Sequence, residues 1–594
     1  MPPVWEGRPY KPLDFGGGGI TGSVDRCGRI IALNCYHPQH GYVTLTCAPP
    51  FPESERYNPA AVRAYRSGLT ALEGFGLQFD AEIDSYAALD DGAIPHFQLM
   101  FADGSEAEVS TMACEGGVIQ QWDIEGATFH WGGQFSLQRC AYAQLTEGGP
   151  LPMPSVETQA RFKDGLLTIE NLALGWAAAV AGLPAEDEWE QHTIGPLMVR
   201  LKDQSANHIV LAYGVGPTVQ VAADNALRLV RDAEHCIEQS RRRWKPIHRY
   251  GDDLLLQRGL SYSLMMAVPA DEGVCLLTDH MILPLSWNRD AYYVARALLG
   301  VRPETTDVVR RHLIWTFEQA QRADGAWARC YLANGYIKDA AFQLDQQLFP
   351  LLELAEYVLE TDDRATLDRL QPHIKPLIEM LMRRKKPDAM LFPTDETPAD
   401  DPIALPYHLS SHILFWRVLG QLSRLGLEGD WAGMAEQIRG EIDRAFIAEH
   451  EGTRLYAYAT NGAGKCHFYH DANDLPLALA ACWGFCSAND PVWRATIDFA
   501  FSDKNAGGYY DGRLGSVHTR AAWPLGDIQE LIIARATGDS EREQRASDHL
   551  HDAAQWDGAL PEACDPATGE VVSRHWFAWP NAALVCLERG VLAS

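Results

Sequence analysis

The sequence predicts a multidomain α and β chain: an N-terminal antiparallel β-sandwich followed by an (α/α)6 barrel. Three observations predict it. Residues 1–235 break into short runs rich in β-branched and aromatic residues, punctuated by Gly, Pro and Asp clusters. From residue 253 to the end, apolar residues recur at i, i+3 and i+4, the spacing of one helix face. Between them, over 236–252, lies the basic, polar stretch CIEQSRRRWKPIHRYGD, which reads as a linker or linker helix. The 594 residues suit two or three domains at roughly 100–250 residues each.

In the first part, Arg29–Asn34 and Gly41–Cys47 are typical strand candidates. The clusters DFGGGG, CAPPFP, LDDGAIP and TEGGPLPMP supply the turns. Many short strands between turn signals predict a sandwich. The four glycines Gly16–Gly19 invite a phosphate-loop reading, but no GK[ST] ending and no helical pattern follow them, so they read as a turn. In the second part, helices are expected near 253–268, 289–300, 305–322, 341–360, 363–385, 406–425, 429–448, 475–486, 490–501, 524–537, 540–555 and 579–590. Paired helices in that number close into a ring of six hairpins, with a central funnel lined by the longer loops.

Composition narrows the function classes. Fifty basic against 79 acidic residues give a net charge of −29. That balance repels nucleic acid and anionic lipid, so neither is an expected partner. No apolar run reaches the ~18 residues that a membrane span needs. The 13 cysteines are scattered and form no CxxC pair, Cys482 and Cys486 being the nearest approach, so reduced thiols are expected rather than disulfides or zinc. The opening MPPVWEGRPYKPLDFGGGG has no basic segment followed by an apolar one, so no signal peptide is expected and the protein reads as cytoplasmic. Oligomeric state is open, a homo-oligomer included.

Four loops interrupt the helical pattern with polar groups suited to chemistry. The first runs from Thr278 through Trp287 and Asn288 to Arg289 and Asp290. A carboxylate there can cap a helix, or the pair can grip sugar hydroxyls, one group donating and the other accepting. The second combines Trp327, a sugar-stacking platform or a core plug, with Asp345, set among Leu344, Leu348 and Phe349 and in need of a partner if buried. The third holds Asp395, Glu396, Asp400 and Asp401 between prolines. Crowded carboxylates raise one another's pKa, as a general acid requires; an acidic surface loop is the alternative, and calcium lacks the EF-hand glycine and glutamate. The fourth places Glu562 ahead of Arg574, Trp576 and Trp579, a base beside an aromatic platform or a plain surface turn. The i, i+4 pair His408 and His412, and the group His467, His470, Asp471 and Asp474, match no recognised metal geometry, and no metal or cofactor is expected.

In their order, these loops resemble glycoside hydrolase family 125, the exo-α-mannosidases acting on α-1,6 linkages. The family pattern TGDIPAMWLRDS is similar to Thr278–Ala291, which ends WNRDA. YELDSLCYP is similar to Phe342–Pro350, with LDQQ in place of LDSL. RPSDDA is similar to Pro398–Pro402. GSPHT with a later WP is similar to Gly515–Thr519 with Trp523 and Pro524. HESF and RxWFxWAN are similar to Pro561–Cys564, with PEAC in place of HESF, and to Arg574–Asn581. The stretch GGGGITGSVDRCGRIIALNCYHP and the glutamate-DPxTG stretch at Glu562–Gly569 resemble the family 15 glucoamylases, whose bacterial members open with a β-sandwich.

The resemblance implies an inverting exo-acting α-glycoside hydrolase whose partner is an oligosaccharide or small glycoside, α-mannose preferred and α-glucose the alternative. It implies a general acid in the Asp400–Asp401 pair, with Asp401 preferred for its offset to the following helix, and Glu562 as general base. It implies sugar contacts from Trp287, Arg289, Asp290, Trp327, Asp345, His518, Thr519, Trp523 and Trp576. Two other classes compete: an inactive glycan-binding relative, which would have no use for both carboxylates, and a disaccharide phosphorylase, which would need an anion site where Glu562 stands.

Overall fold

The computed structural model describes residues 8–593 except 81, 91, 141–146, 149–156, 184–188, 193–196, 202–205, 246 and 248–252. The opening residues 1–7, most of the turn at TEGGPLPMP and the end of the linker fall outside the described residues.

Two antiparallel sheets build the first part. One runs Leu13–Gly17, Ile20–Val24, Ile30–His37, Gly41–Thr46, Phe129–Arg139, Leu197–Leu201, Trp189–His192, with Gly76–Phe79 also on Phe129–Arg139. The other runs Gln159–Lys163, Leu166–Asn171, Trp176–Ala181, His208–Gly216, Gly117–Glu125, Glu106–Cys114, Ile94–Phe101, Ile83–Asp90. Their facing sides bury a shared core that includes Leu33, Leu45, Phe75, Trp122, Trp131 and Phe135, the arrangement of a sandwich. The glycine run is a turn: Gly17 pairs with Ile20, and Gly18 and Gly19 take φ of 64° and 82°. Two positive φ values at the tip make a hairpin turn that glycine adopts at no steric cost.

The region read as β also contains helices. Asn58 caps Pro59–Gly68, and Thr218 caps Val219–Arg231. The second lies on the outer face of the sheet, where Ala222, Ala223 and Ala226 meet Ala177, Ala179 and Ala181. Small side chains on both surfaces let the backbones approach closely, and a Cβ on Gly214 would come within 2.2 Å of the Ala222 carbonyl. The expected linker begins as a further helix, Ala233–Trp244.

The second part is an (α/α)6 barrel. Six inner helices form a closed ring in which each touches the next: Asn288–Leu298, Leu344–Thr361, Leu409–Arg424, Leu475–Leu479, Pro524–Thr537, Ala578–Glu588, and back to the first. Their side chains are almost wholly buried. The outer layer is Leu254–Met265, Pro303–Ile314, the pair Arg364–Leu370 and Ile374–Arg384, Trp431–Ala445, Pro491–Ala500 and Ser540–Ala553.

Two expected helices change. The span 363–385 divides at the tight turn Gln371–His373, because Pro372 has no N–H to continue the ladder. The span 475–486 is helical only to Leu479 and then coils through turns to Gly484, whose φ is 77°. All the cysteines are free. Among the described residues, no helix is long and apolar enough to cross a membrane.

Candidate functional site

The funnel mouth is built one loop at a time, starting with Thr278–Asp290. The Asp279 carboxylate accepts the N–H groups of Met281, Ile282 and Leu283 at 2.8, 2.6 and 2.9 Å, which bends the loop inward. Burial pushes Asp279 up to about 6, against the pull of Arg574 and those N–H groups. The helix that follows starts at Asn288 with no side-chain cap, so Arg289 and Asp290 sit in its first turn and are not the capping pair. Asp290 accepts from the Thr278 hydroxyl at 2.7 Å. Burial raises its pKa, with Arg289 and Thr278 opposing.

Arg289 is the hub. Its guanidinium lies 3.0 Å from Asp345, 3.5 Å from Asp290 and 3.6 Å from Asp400, and 4.8 Å from the centre of the Trp579 ring. A proline sets its place. Pro350 lies inside the helix Leu344–Thr361 and cannot donate to the Gln346 carbonyl. Asn288 of the neighbouring inner helix takes that carbonyl at 2.9 Å, and the Gln346 side chain accepts the Arg289 N–H at 3.2 Å. Two inner helices are thereby locked where Arg289 leaves the first and Asp345 leaves the second.

The acidic loop divides its carboxylates. Gln343 donates to Asp400 at 2.7 Å and to Glu396 at 3.0 Å. Burial raises Glu396, Arg329 opposes, and Asp400 adds to the rise. Asp400 holds φ of 65°, a left-handed backbone uncommon outside glycine and found often at functional sites. Asp401 contacts His518 at 3.2 Å, and the imidazole is over a third exposed at the mouth. Burial disfavours its charge, but the hydrogen bond to Asp401 and the nearby Glu562, Asp401 and Asp400 push it up to about 9.

Glu562 is buried and doubly held. One oxygen accepts from Arg574 Nε at 3.0 Å and Nη2 at 2.6 Å, and the other accepts from Ser573. Burial alone would raise its pKa. Arg574, with the charges of Arg66 and His518, brings it down to about 2, so the carboxyl is ionised at neutral pH.

These groups line one narrow cleft, walled by Trp287, Arg289, Asp290, Pro398, Ala399, Asp400, Asn473, His518, Trp523, Glu562, Arg574, Phe577 and Trp579. Five buried atoms of wall residues make no hydrogen bond within the protein: Trp287 Nε1, Arg289 Nε, Asp290 Oδ2, Arg574 Nη1 and Trp579 Nε1. Arg289 Nε and Asp290 Oδ2 face each other at 3.5 Å; the other three donors, left without a hydrogen bond in one cleft, suit a polyhydroxylated ligand, since buried polar groups are otherwise almost always paired.

Of the residues expected from sequence, Trp287, Arg289, Asp290, Asp400, His518, Trp523 and Glu562 share this wall. Asp345 lies beneath Arg289, Asp401 stands behind His518, and Thr519 accepts the Trp523 indole N–H at 2.7 Å. Trp327 and Trp576 are not on this wall. Trp327 is 1% exposed, donates to the Thr316 carbonyl at 2.9 Å and has Arg322 over its ring. Trp576 is 1% exposed and donates to Asp14 of the sandwich at 2.8 Å. Sequence reasoning passed over Arg574 and Trp579, although both stood in the quoted motif; the missing signal was that a buried glutamate needs a cation beside it. Asn473 and Phe577 carried no such signal.

The histidine groups have structural partners. His412 accepts the Phe392 N–H at 3.0 Å, and His408 caps its helix and lies 3.1 Å from Asp474. Asp527, Glu530 and His549 are close enough together to hold a metal ion. Arg513 pairs with Asp527, and Arg542 and Arg545 with Glu530, which supplies the positive charge that a metal would bring.

Comparison with known proteins follows the same geometry. Residues 386–587 match the family model of the metal-independent alpha-mannosidases (GH125). The C-terminal region is thus a glycoside hydrolase domain. It contains Asp400, Asp401, His518, Glu562 and Arg574. The fold of the whole chain is similar to a bacterial glucoamylase solved with acarbose, at TM-score 0.67 and 12% identity over 99% of this chain and 96% of that one. A metal-independent α-mannosidase from Streptococcus pneumoniae, solved with α-1,6-mannobiose, is similar at TM-score 0.50 and 20% identity over 61% of this chain and 98% of that one. A human-microbiome protein proposed as a kojibiose phosphorylase is similar at TM-score 0.57 and 10% identity over 97% and 86%. No curated protein matches the chain by sequence.

Proposed function

We propose that this glycoside hydrolase is exo-acting and inverting, and removes one terminal α-linked sugar, α-mannose before α-glucose, by general acid and base catalysis. The observation that carries the reading is that Asp400 and Glu562 line one cleft together. The exo mode rests on the resemblance of the loop motifs to glycoside hydrolase family 125. The preference for mannose rests on the family match over residues 386–587.

Glu562 is the base. Arg574 keeps it ionised, and it draws a proton from a water that attacks the anomeric carbon. The acid comes from the Asp400–Asp401 pair. Asp400 is the better placed, since it lines the cleft while an oxygen of Asp401 is taken up by His518. The acid gives its proton to the leaving oxygen as the glycosidic bond breaks. Inversion requires the two carboxyl groups to stand roughly 6.5–9.5 Å apart with the water between them. Arg289, Asp290 and the two unmatched indole N–H groups hold the sugar hydroxyls. The reading needs no metal, because Glu562 activates the water.

The fold also suits a phosphorylase, but a phosphate nucleophile would meet the ionised Glu562 carboxylate and be repelled. Turnover is therefore expected without phosphate. Glu562→Gln is expected to abolish turnover while substrate still binds. NMR of the first product from an α-linked aryl glycoside is expected to show the β-anomer. An initial α-anomer would overturn the inverting mechanism, and near-normal activity in Glu562→Gln would overturn the base.

A further inference from the structure

The first sandwich strand and the residues just before it meet the barrel with two charged side chains. Lys11 and Asp14 are both 0% exposed. Lys11 Nζ lies 2.6 Å from Asp14 and 2.7 Å from Asp557. Arg258, on the outer helix Leu254–Met265, reaches Asp557 at 3.1 Å and also pairs with Asp14. Two cations and two carboxylates balance without solvent. Apolar packing would dock the sandwich at a lower desolvation cost, so a network this buried fixes geometry rather than strength.

What it fixes is the loop that carries Glu562. Asp557 stands shortly before Glu562 in the chain. On the other side, Trp576 follows Arg574 and donates its indole N–H to Asp14 Oδ1 at 2.8 Å. The two arms are joined to each other: the Glu562 N–H donates to the Arg574 carbonyl at 2.9 Å, and Gln555 donates to the His575 carbonyl at 2.7 Å. Both arms thus end on one short stretch of the sandwich. Asp14 also accepts from Ser23 at 2.9 Å, and Ser23 lies 3.0 Å from His280, in the same loop as Asp279 and Arg289.

We propose that Lys11 and Asp14 are positioning residues for Glu562: Lys11 holds the arm before it through Asp557, and Asp14 holds the arm after it through Trp576. Neither touches the cleft. The role rests on Glu562 being the base, as proposed above.

Two variants test it. Trp576→Phe keeps an aromatic ring, smaller than the indole, and removes the N–H that meets Asp14. Asp14→Asn keeps the volume and removes the charge that balances Lys11 and Arg258. Hydrogen exchange read by mass spectrometry, which needs no activity, is expected to speed up about tenfold or more over residues 555–577 and to stay unchanged over the inner helix Leu409–Arg424. In turnover, kcat is expected to fall about 100-fold with KM nearly constant, the scale of a misplacement of about 1 Å. The acid limb of the kcat profile is expected to move up as Glu562 loses its fixed contact with Arg574. Unchanged exchange over 555–577 would overturn the proposal, as would a loss confined to KM. If Asp14→Asn fails to fold, Trp576→Phe decides alone, because it removes no charge. If the wild-type chain hydrolyses no α-glycoside, the function proposed above fails, and the exchange measurement still decides the positioning role.

Discussion

At the residue scale, the mouth of the cleft sets two ionisations in opposite directions. Burial works against the charge on His518, yet Asp401, Glu562 and Asp400 push it up to about 9. A cation raised in this way adds stability that is complete below the unfolded value of about 6.5 and is lost as the pH rises through about 9. Glu562 runs the other way. Arg574 outweighs its burial, so its contribution is complete above the unfolded value of about 4.3 and is lost as the pH falls through about 2. The imidazolium is expected to be directly visible. In a chain labelled at histidine carbons, the signal that disappears in His518→Gln is expected to titrate near 9, and Asp401→Asn is expected to move it down toward the ordinary histidine value. A signal that already titrates near 6.5 in the wild type would remove the Asp401–His518 ion pair from the account. Removing the cation beside Glu562 is costlier. Arg574→Met leaves a buried carboxylate unpaired, and a loss of about 3–5 kcal/mol in denaturant unfolding is expected.

At the scale of elements, the acidic loop poses the sharpest question, which of its two aspartates gives the proton. Asparagine tolerates the left-handed backbone nearly as well as aspartate, so Asp400→Asn keeps the loop shape at φ of 65° and removes only the acid. With an aryl glycoside whose leaving group needs no proton, Asp400→Asn is expected to retain most activity. With a disaccharide it is expected to lose about 10²–10⁴-fold, the usual contribution of a general acid. Asp401→Asn is expected to lose similar amounts on both substrates. If the two variants exchange these patterns, Asp401 is the acid, as its offset to the next helix suggested. The inner and outer helices were largely legible because each must bury an apolar face at helical spacing. The helix at 219–231 was not, because its buried face is alanine, which carries little hydrophobic signal and earns its place only by letting the sheet come close. The wall residues Trp287, Arg289, Asp290 and Glu562 were legible as polar or aromatic groups in loops that break the helical pattern. Trp327 and Trp576 shared that signal, but nothing in a sequence tells a tryptophan facing a sugar from one whose N–H is already taken by Thr316 or Asp14.

At the scale of the molecule, the sandwich and the barrel share one core. Ile31, Ala32, Tyr42, Phe51, Ile94 and Met112 of the sandwich pack in the same buried cluster as Met265, Ile282, Leu283 and Trp287 of the barrel. The Streptococcus pneumoniae mannosidase matches only 61% of this chain, at 98% of its own length, so a barrel of this fold can stand without a matching sandwich. Cut at the proposed boundary, residues 253–594 would expose the apolar loop Met281–Leu283 and leave Arg258 and Asp557 facing water where Lys11 and Asp14 now stand. An exposed apolar patch larger than a few hundred Å2 drives association in a soluble protein. The fragment is therefore expected to aggregate or to bind a hydrophobic dye, with no turnover, and co-expression with residues 1–252 is expected to restore a soluble, active complex. A fragment that stays monomeric in sedimentation and turns over at the full-length rate would show that the barrel completes its own active site. The sandwich would then be an accessory to the catalytic domain rather than a support for its loops.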